Sequence, residues 1–305
     1  MELTKRLRNI EGAKEFSREL ALIGELNSGS LMNSLPLKLL PDNSLAELID
    51  AFAANNVDAI VIGDETKIEG IVSKRDLLNK LDSPKLADME KKRIKEVLTK
   101  NYVNVSESGL LEDLCKIMIK NKPACLVVSD KKRFLGIIGY VELLAGFRKF
   151  CLQIDNPPSI GPLLKLHEVH MAGHLMTLDV LIKSMRQRDV DYALVMKENS
   201  PIGIISSKDV VNALRKDLSW DKMNANTIMS PHIVSLNSGN SINEALVIML
   251  DRKFNQIPII DNQKLTGILT LPIILEVFYN FINELKVKIS RNKITDVVGV
   301  AEDEE

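Results

Sequence analysis

Two heptapeptides, GIVSKRD at residues 70 to 76 and GIISSKD at residues 203 to 209, share the pattern Gly-apolar-apolar-Ser-x-x-Asp. Those residue types, at that spacing, could hold a ribose and its phosphate. The glycine lets the backbone come close to a ligand or to another segment. Ser73 and Ser206 fall where a helix should begin, and free amides and the helix dipole favour an anionic group there. Asp76 and Asp209 stand on the same first turn, and a carboxylate can accept from both hydroxyls of a ribose. Lys74, Arg75 and Lys208 lie between the two ends and could meet a phosphate. The bland alternative is that Ser-x-x-Asp is also a capping-box pattern and needs no ligand.

The elements that must position these residues emerge from internal repetition. The two heptapeptides are 133 positions apart (203 − 70), and weaker copies, GIIGYVE from Gly136 and GILTLPI from Gly267, fall between and beyond them. The four copies extend back without a gap to Leu37, Val103, His170 and Val234. Each begins with a short extended piece. A helix with apolar residues at three- and four-residue spacing follows, as in SLAELIDAFAANN and SINEALVIMLDRK. Ser44 with Glu47, and Ser241 with Glu244, have capping-box spacing at its start. An apolar run too short for a helix (AIVI, CLVV, YALVM or IPII), a polar turn and a second strand lead to the glycine, with another helix after it.

The unit is thus an α/β (α+β) β-α-β-β-α repeat. With three short strands it cannot bury both faces of its sheet, so pairing of units is expected. The Pro-rich linker over 151 to 164 divides the chain into a first pair over 31 to 150 (repeats 31 to 82 and 94 to 150) and a second over 165 to 285 (repeats 165 to 218 and 226 to 285). A helical extension over 1 to 30, with a leading helix at 4 to 25, and a C-terminal extension over 286 to 305 with the acidic tail AEDEE lie outside.

Composition narrows the function classes. Forty basic against forty-one acidic residues leave a net charge of −1, so nothing pulls the chain toward nucleic acid or an anionic membrane surface. No apolar run approaches the roughly 18 residues that span a bilayer, and the N-terminus lacks the apolar core of a signal peptide, which makes a cytoplasmic location the expectation. Three cysteines without a CxxC pair suggest neither a disulfide framework nor a zinc knuckle, and Cys115 and Cys125 are read as buried and unreactive. Among His167, His170 and His174, strand alternation puts the first on the opposite face, and no metal site is expected. No Gly-rich phosphate loop, nucleophile elbow or HExxH is present, so no enzyme is expected.

The four in-phase copies resemble the cystathionine β-synthase (CBS) domain, LMNSLPLKLLPDNSLAEL through GIVSKRDLL being a nearly complete example. The resemblance covers roughly residues 31 to 150 and 165 to 285. It implies modules of paired domains with adenosine-type ligands in the clefts between members, a regulatory role, an unidentified partner protein and a homodimer as one assembly. By the same resemblance Ser73, Asp76, Ser206, Asp209 and Thr270 would face ribose and phosphate. Leu37, Leu39, His170, Ala172 and Val234 would line the adenine. Copies two and four replace the motif with Gly139 and Glu142, and with Thr270 and Ile273, so one credible site per pair is expected. Family members that hold phosphates often carry a basic pair before the central strand. Here the matching pairs, Asp58-Ala59, Ala124-Cys125, Asp191-Tyr192 and Asn255-Gln256, are not basic. That favours AMP or an uncharged adenosine derivative over ADP or ATP, with S-adenosylmethionine as an option because its sulfonium would welcome an acid. The competing reading is an interaction scaffold whose pockets have decayed.

Overall fold

The computed structural model describes residues 24–64, 67–81, 86–100, 102–131, 133–151, 157–164, 169–216, 220 and 222–299. Residues 1–23, Lys132, His167 and the AEDEE tail lie outside them, and with them most of the expected leading helix.

The first three repeats follow the sequence pattern in full, and the fourth follows it apart from its opening strand. In the first, β1 (Lys38–Leu39), α2 (Leu45–Ala54), β2 (Ala59–Gly63), β3 (Ile68–Ser73) and α3 (Lys74–Lys80) follow a short α1 (Ser28–Leu31). The second contains β4 (Val103–Ser106), α5 (Leu111–Asn121), β5 (Leu126–Asp130), β6 (Arg133–Ile138) and α6 (Tyr140–Cys151), after α4 (Leu86–Lys91). The third has β7 (Met171–Gly173), α7 (Leu178–Gln187), β8 (Tyr192–Lys197), β9 (Ser200–Ser206) and α8 (Ser207–Arg215). The fourth, after α9 (Ala225–Ile228), has α10 (Ile242–Arg252), β10 (Gln256–Asp261), β11 (Lys264–Thr270) and a long α11 (Leu271–Gly299). The expected capping boxes form at Ser44 with Glu47 and at Ser241 with Glu244. Where a C-terminal extension was expected from residue 286, α11 continues the last repeat's second helix without a break to Gly299.

In the first three repeats the opening strand pairs parallel to the middle strand, which pairs antiparallel to the third. The fourth sheet has only β10 and β11, and the opening segment around Val234 is reduced to one bridge between Leu236 and Ile259. Proline chemistry accounts for the difference. Val61 N donates to Leu37 O at 3.0 Å in the first repeat and Leu194 N to His170 O at 2.9 Å in the third. The aligned donor in the fourth is Pro258, which has no N–H to give to Val234.

Every repeat has two partners. Between the first and second, the sheets meet through Ala59, Val61, Ile71, Cys125 and Val127. The helices pack the other way: those of repeat one against those of repeat three around Phe52, Leu77, Leu181 and Val211, and those of repeat two against repeat four around Leu114, Phe147, Leu246 and Phe278. Phe147 and Phe278 stack with ring centroids 6.0 Å apart. The chain thus supplies its own inter-pair contact. Cys115 and Cys125 are buried, and burial pushes both thiols up to about 12.

The segments that precede the repeats are exchanged within each pair. Asn33, ahead of repeat one, bridges to Ile137 of repeat two, and Thr99, ahead of repeat two, bridges to Ile71 of repeat one. In the second pair Ser230 bridges to Ile204 of repeat three, while the described part of the Pro-rich linker packs on repeat four, Ile160 N donating to Asn240 O at 2.8 Å. The repeating glycine now has a cause. A Cβ on Gly70 would come within 2.5 Å of Thr99 O, one on Gly136 within 2.5 Å of Asn33 O, and one on Gly203 within 2.5 Å of Met229 Sδ. On Gly267 it would meet Leu164 at 3.1 Å. The close neighbour that requires glycine is the chain itself.

Candidate ligand-binding site

Ser73 ends β3 and caps α3. Its hydroxyl lies 2.6 Å from Asp76 Oδ2, its amide donates to that oxygen at 3.0 Å, and Asp76 N donates to Ser73 Oγ at 3.0 Å. Ser206 and Asp209 repeat the arrangement, with the hydroxyl at 2.6 Å and the amide at 2.7 Å from Asp209 Oδ2. Both motifs therefore form caps. In each, these bonds draw on one carboxylate oxygen, Oδ2. At Asp209 the other oxygen accepts from Ser230 Oγ at 3.3 Å, contributed by the segment crossing from repeat four. Thr99 occupies the matching crossing position in the first pair.

The degenerate copies differ as their sequences require. Glu142 accepts from Gly139 N at 2.8 Å, a cap without a hydroxyl. Thr270 closes β11 opposite Gln256, and Ile273 has no carboxylate to return.

The three cations gather near the start of α3 and α8, each with a partner inside the chain. Lys74 is buried, its side chain 5% exposed and its Nζ 3.6 Å from Asp58 Oδ1. Desolvation lowers the Lys74 pKa, against the pull of Asp58. Arg75 Nη1 reaches Asp189 at 3.4 Å, and Lys208 Nζ reaches Asn56 at 2.9 Å. These last two contacts are one contact made twice: Arg75 aligns with Lys208, and Asn56 with Asp189, across an approximate two-fold relation between repeats one and three. Asn255 of repeat four adds a hydrogen bond to Asp58 at 3.1 Å. Residues ahead of the central strands thus approach one another, and the Asp58 carboxylate is among the charges that, after burial, raise the Asp191 pKa.

The residues expected around adenine divide between two surroundings. Leu37 and Leu39 pack partly buried against the core shared by repeats one and three. Ala172 belongs to that core, and His170, 4% exposed, meets Ser184 Oγ of α7 at 3.1 Å with Nε2. For His170 the backbone carbonyl serves the parallel strand pairing and the ring faces the helix layer. Val234 is half-buried. Sequence reasoning missed Thr99, Ser230, Asn56 and Asp189, none of which belongs to a motif of its own, and it marked Asn255 only as a non-basic position ahead of its strand, not as a partner of Asp58. Only the exchange of opening segments and the packing of repeats one and three bring them near.

Comparison with known proteins bears on this geometry. The family model for the CBS domain matches residues 28–83, 94–148, 166–216 and 225–280. The Arabidopsis thaliana CBS domain-containing protein CBSCBSPB5 is 22% identical over 260 residues, 72% of this chain; the chain spans about half, 47%, of that relative's length. The uncharacterized protein MJ1225 of Methanocaldococcus jannaschii is 20% identical over 268 residues, 79% of this chain and 90% of its own. The crystal structure of MJ1225, described as a candidate archaeal homologue of g-AMPK, superposes with a TM-score of 0.74 at 14% identity, covering 83% of this chain and all of that one. An uncharacterized conserved protein of Pyrococcus horikoshii gives a TM-score of 0.57 at 15% identity over 83% of this chain and 99% of its own. Four matched domains cover most of the sequence, and the chain belongs to the CBS domain family.

Proposed function

We propose that the protein is a non-catalytic regulatory sensor in which adenosine-type ligands occupy clefts of the CBS pairs and a partner protein reads their occupancy. One observation carries the reading: each pair has a single Ser-x-x-Asp start of a helix, at Ser73 and Asp76 and at Ser206 and Asp209, with cations beside it. Such a helix start offers amides to a phosphate and a carboxylate to a ribose. The internal pairing of Lys74 and Arg75 leaves little free positive charge, which favours AMP or an uncharged derivative over ATP. S-adenosylmethionine fits the same balance. The MJ1225 description lends support to a regulatory role. Among the described residues no helix is long and apolar enough to cross a membrane, in keeping with a cytoplasmic sensor that acts through protein contacts.

A sensor requires the ligand to bind one arrangement of the repeats more tightly than another. The contact of repeats one and three offers the place where the two pairs could respond. A homodimer is one way to present that response to the partner.

A second reading is favoured by the caps themselves. Both motifs are internally satisfied, as in an interaction scaffold with decayed pockets. A thermal-shift screen against AMP, ADP, ATP, adenosine, S-adenosylmethionine and NAD decides between them. Ligand at a hundred times its Kd stabilises the native state by about 2.7 kcal/mol. A shift lost in the Asp76→Ala, Asp209→Ala double variant supports the sensor; no shift with any of the six supports the scaffold.

A further inference from the structure

The helix that closes repeat four outruns its counterpart in repeat three. Leu271 aligns with Ser207, yet α8 stops at Arg215 while α11 continues to Gly299. From the position that matches Arg215 onward, α11 carries a face with no equivalent at the contact of repeats one and three. Tyr279, Ile282 and Lys286 share that face, three and four residues apart. Together with Leu110, Leu111 and Phe147 they line a groove over the contact of repeats two and four. By the same spacing the face runs on through Ile289, Lys293 and Val297.

The groove is apolar and open. Leu110 is 49% exposed, and Val287, bordering the same face of α11, is 51% exposed. Lys286 gives the groove a basic edge, where it pairs with Glu112 at the start of α5. A projecting helix such as the last turns of α11 owes its stability to packing of an apolar face more than to propensity.

The path of the chain identifies what covers the groove. Leu111 N donates to Leu26 O at 3.0 Å, so the chain is fastened at the groove's edge. Gly24 itself lines the groove, and Gly24 and Glu25 are helical. The segment ahead of Gly24 therefore arrives at the groove. In its sequence Ala13, Phe16, Leu20 and Ile23 follow at three, four and three residues, one stripe of a helix. Glu15 and Glu19 flank that stripe, four residues apart, and face a helix that carries Lys286 and Lys293 among its apolar positions. Residues 10 to 23 as a helix would be about 21 Å long, the same as residues 286 to 299 of α11. Tethering at Gly24 gives the segment an effective concentration that a second copy of the chain must outcompete.

We propose that residues 13–23 form an amphipathic helix seated in this groove. Phe16, Leu20 and Ile23 lie on its apolar floor, with Glu15 and Glu19 towards Lys286 and Lys293. The segment reaches the repeats with its C-terminal end, and α11 leaves them with its own, so the two helices run antiparallel. The segment is an intramolecular clamp on the contact of repeats two and four. It acts on that contact alone, because α8 is too short to build such a groove.

Zero-length carbodiimide coupling of the full chain tests the occupant, in an equal mixture of unlabelled and nitrogen-15 protein. Mass spectrometry should find Glu15 or Glu19 joined to Lys286 or Lys293, with both peptides carrying the same isotope. Links of mixed isotope would show that a second copy fills the groove, and the absence of any such link that the segment does not lie there; either overturns the proposal. Hydrogen exchange supplies the second test. Leu20→Glu should speed exchange of the amides over 279 to 299 at least tenfold, whereas Arg18→Ala, on the opposite face of the same helix, should leave them unchanged. Exchange unmoved by Leu20→Glu, or moved equally by both changes, would also overturn it.

Discussion

Ile71 and Thr99 exchange both of their backbone hydrogen bonds, at 3.2 and 3.1 Å, although one belongs to the first repeat and the other to the segment leading into the second. Gly70 lies directly beneath this crossing. The exchange means that neither repeat of a pair completes its own edge. In the second pair the matching crossing also brings the Ser230 hydroxyl to 3.3 Å from Asp209 Oδ1, beside the Ser-x-x-Asp cap.

Gly70→Ala should therefore destabilise the protein. The new Cβ would stand 2.5 Å from Thr99 O and 2.7 Å from Leu98 Cδ1, and the first of these is backbone. Overpacking of this kind costs about 1–3 kcal/mol. For Gly267→Ala the three nearest atoms are Leu164 side-chain carbons at 3.1 Å or more, which can rotate away, and the change should cost less. Urea unfolding of both variants checks the order; equal losses would show that the crossing in the first pair yields easily.

The repeat, its strand and helix order and the capping boxes were legible because each is written in local periodicity. Ser73, Asp76, Ser206 and Asp209 were legible as helix caps, from the Ser-x-x-Asp spacing. The partners of those residues were not legible. Asp189 meets Arg75 from 114 positions away and Asn255 meets Asp58 from 197, and no local pattern carries such contacts. In the sequence, Asp58 and Asp191 stand where phosphate-holding family members often carry a basic pair. In the fold, Asp58 is half of an ion pair with Lys74, so it tempers a cation as much as it repels an anion. The fourth opening strand was expected by analogy with the other copies, yet the single residue Pro258 weakens its pairing through a missing N–H.

Asp76 has two roles to separate, since it caps α3 whether or not a ribose is present. Asp76→Ala should lose the cap, costing about 0.5–2 kcal/mol, and lose ligand affinity as well. Asp76→Glu restores a carboxylate of the kind that capping boxes accept at the third helical position, but moves it by one methylene. The glutamate variant should keep most of the wild-type Tm and lose at least tenfold in affinity for AMP. Retained affinity with retained Tm would show that the carboxylate does not hold the ribose.

The inter-pair core should be as sensitive as an ordinary domain core. Phe147 is 1% exposed and stacks on Phe278 from the opposite pair, with centroids 6.0 Å apart. Phe147→Ala should cost about 3–5 kcal/mol, the loss expected when a fully buried aromatic ring is removed. If the two pairs unfold as one unit, the variant keeps a single transition at lower denaturant. A split into two transitions would show that each pair holds its own fold and that the phenylalanine stack is what joins them.

His170 makes stability depend on pH in a direction the structure fixes. Ser184 Oγ gives its proton to Leu181 O at 2.7 Å, so it accepts from His170 Nε2 at 3.1 Å, and the buried Nδ1 has no hydrogen-bond partner among the described residues. Protonation would place a charged N–H there without an acceptor. Burial, with a smaller contribution from Arg188, accordingly lowers the His170 pKa from its ordinary 6.5. The unfolded chain then binds the extra proton first, so this contribution is fully present above about pH 6.5 and is lost as pH falls from there through the folded value. The slope from this one group cannot exceed about 1.4 kcal/mol per pH unit. Tm measured from pH 8 to pH 5 should decline below about pH 6.5, and His170→Gln should flatten that part of the decline while leaving the acid loss due to carboxylates such as Glu47 and Glu244, whose caps hold their pKa values down. An identical profile in the glutamine variant would mean that the imidazole gains a proton acceptor on acidification, by admitting water to the space behind α7.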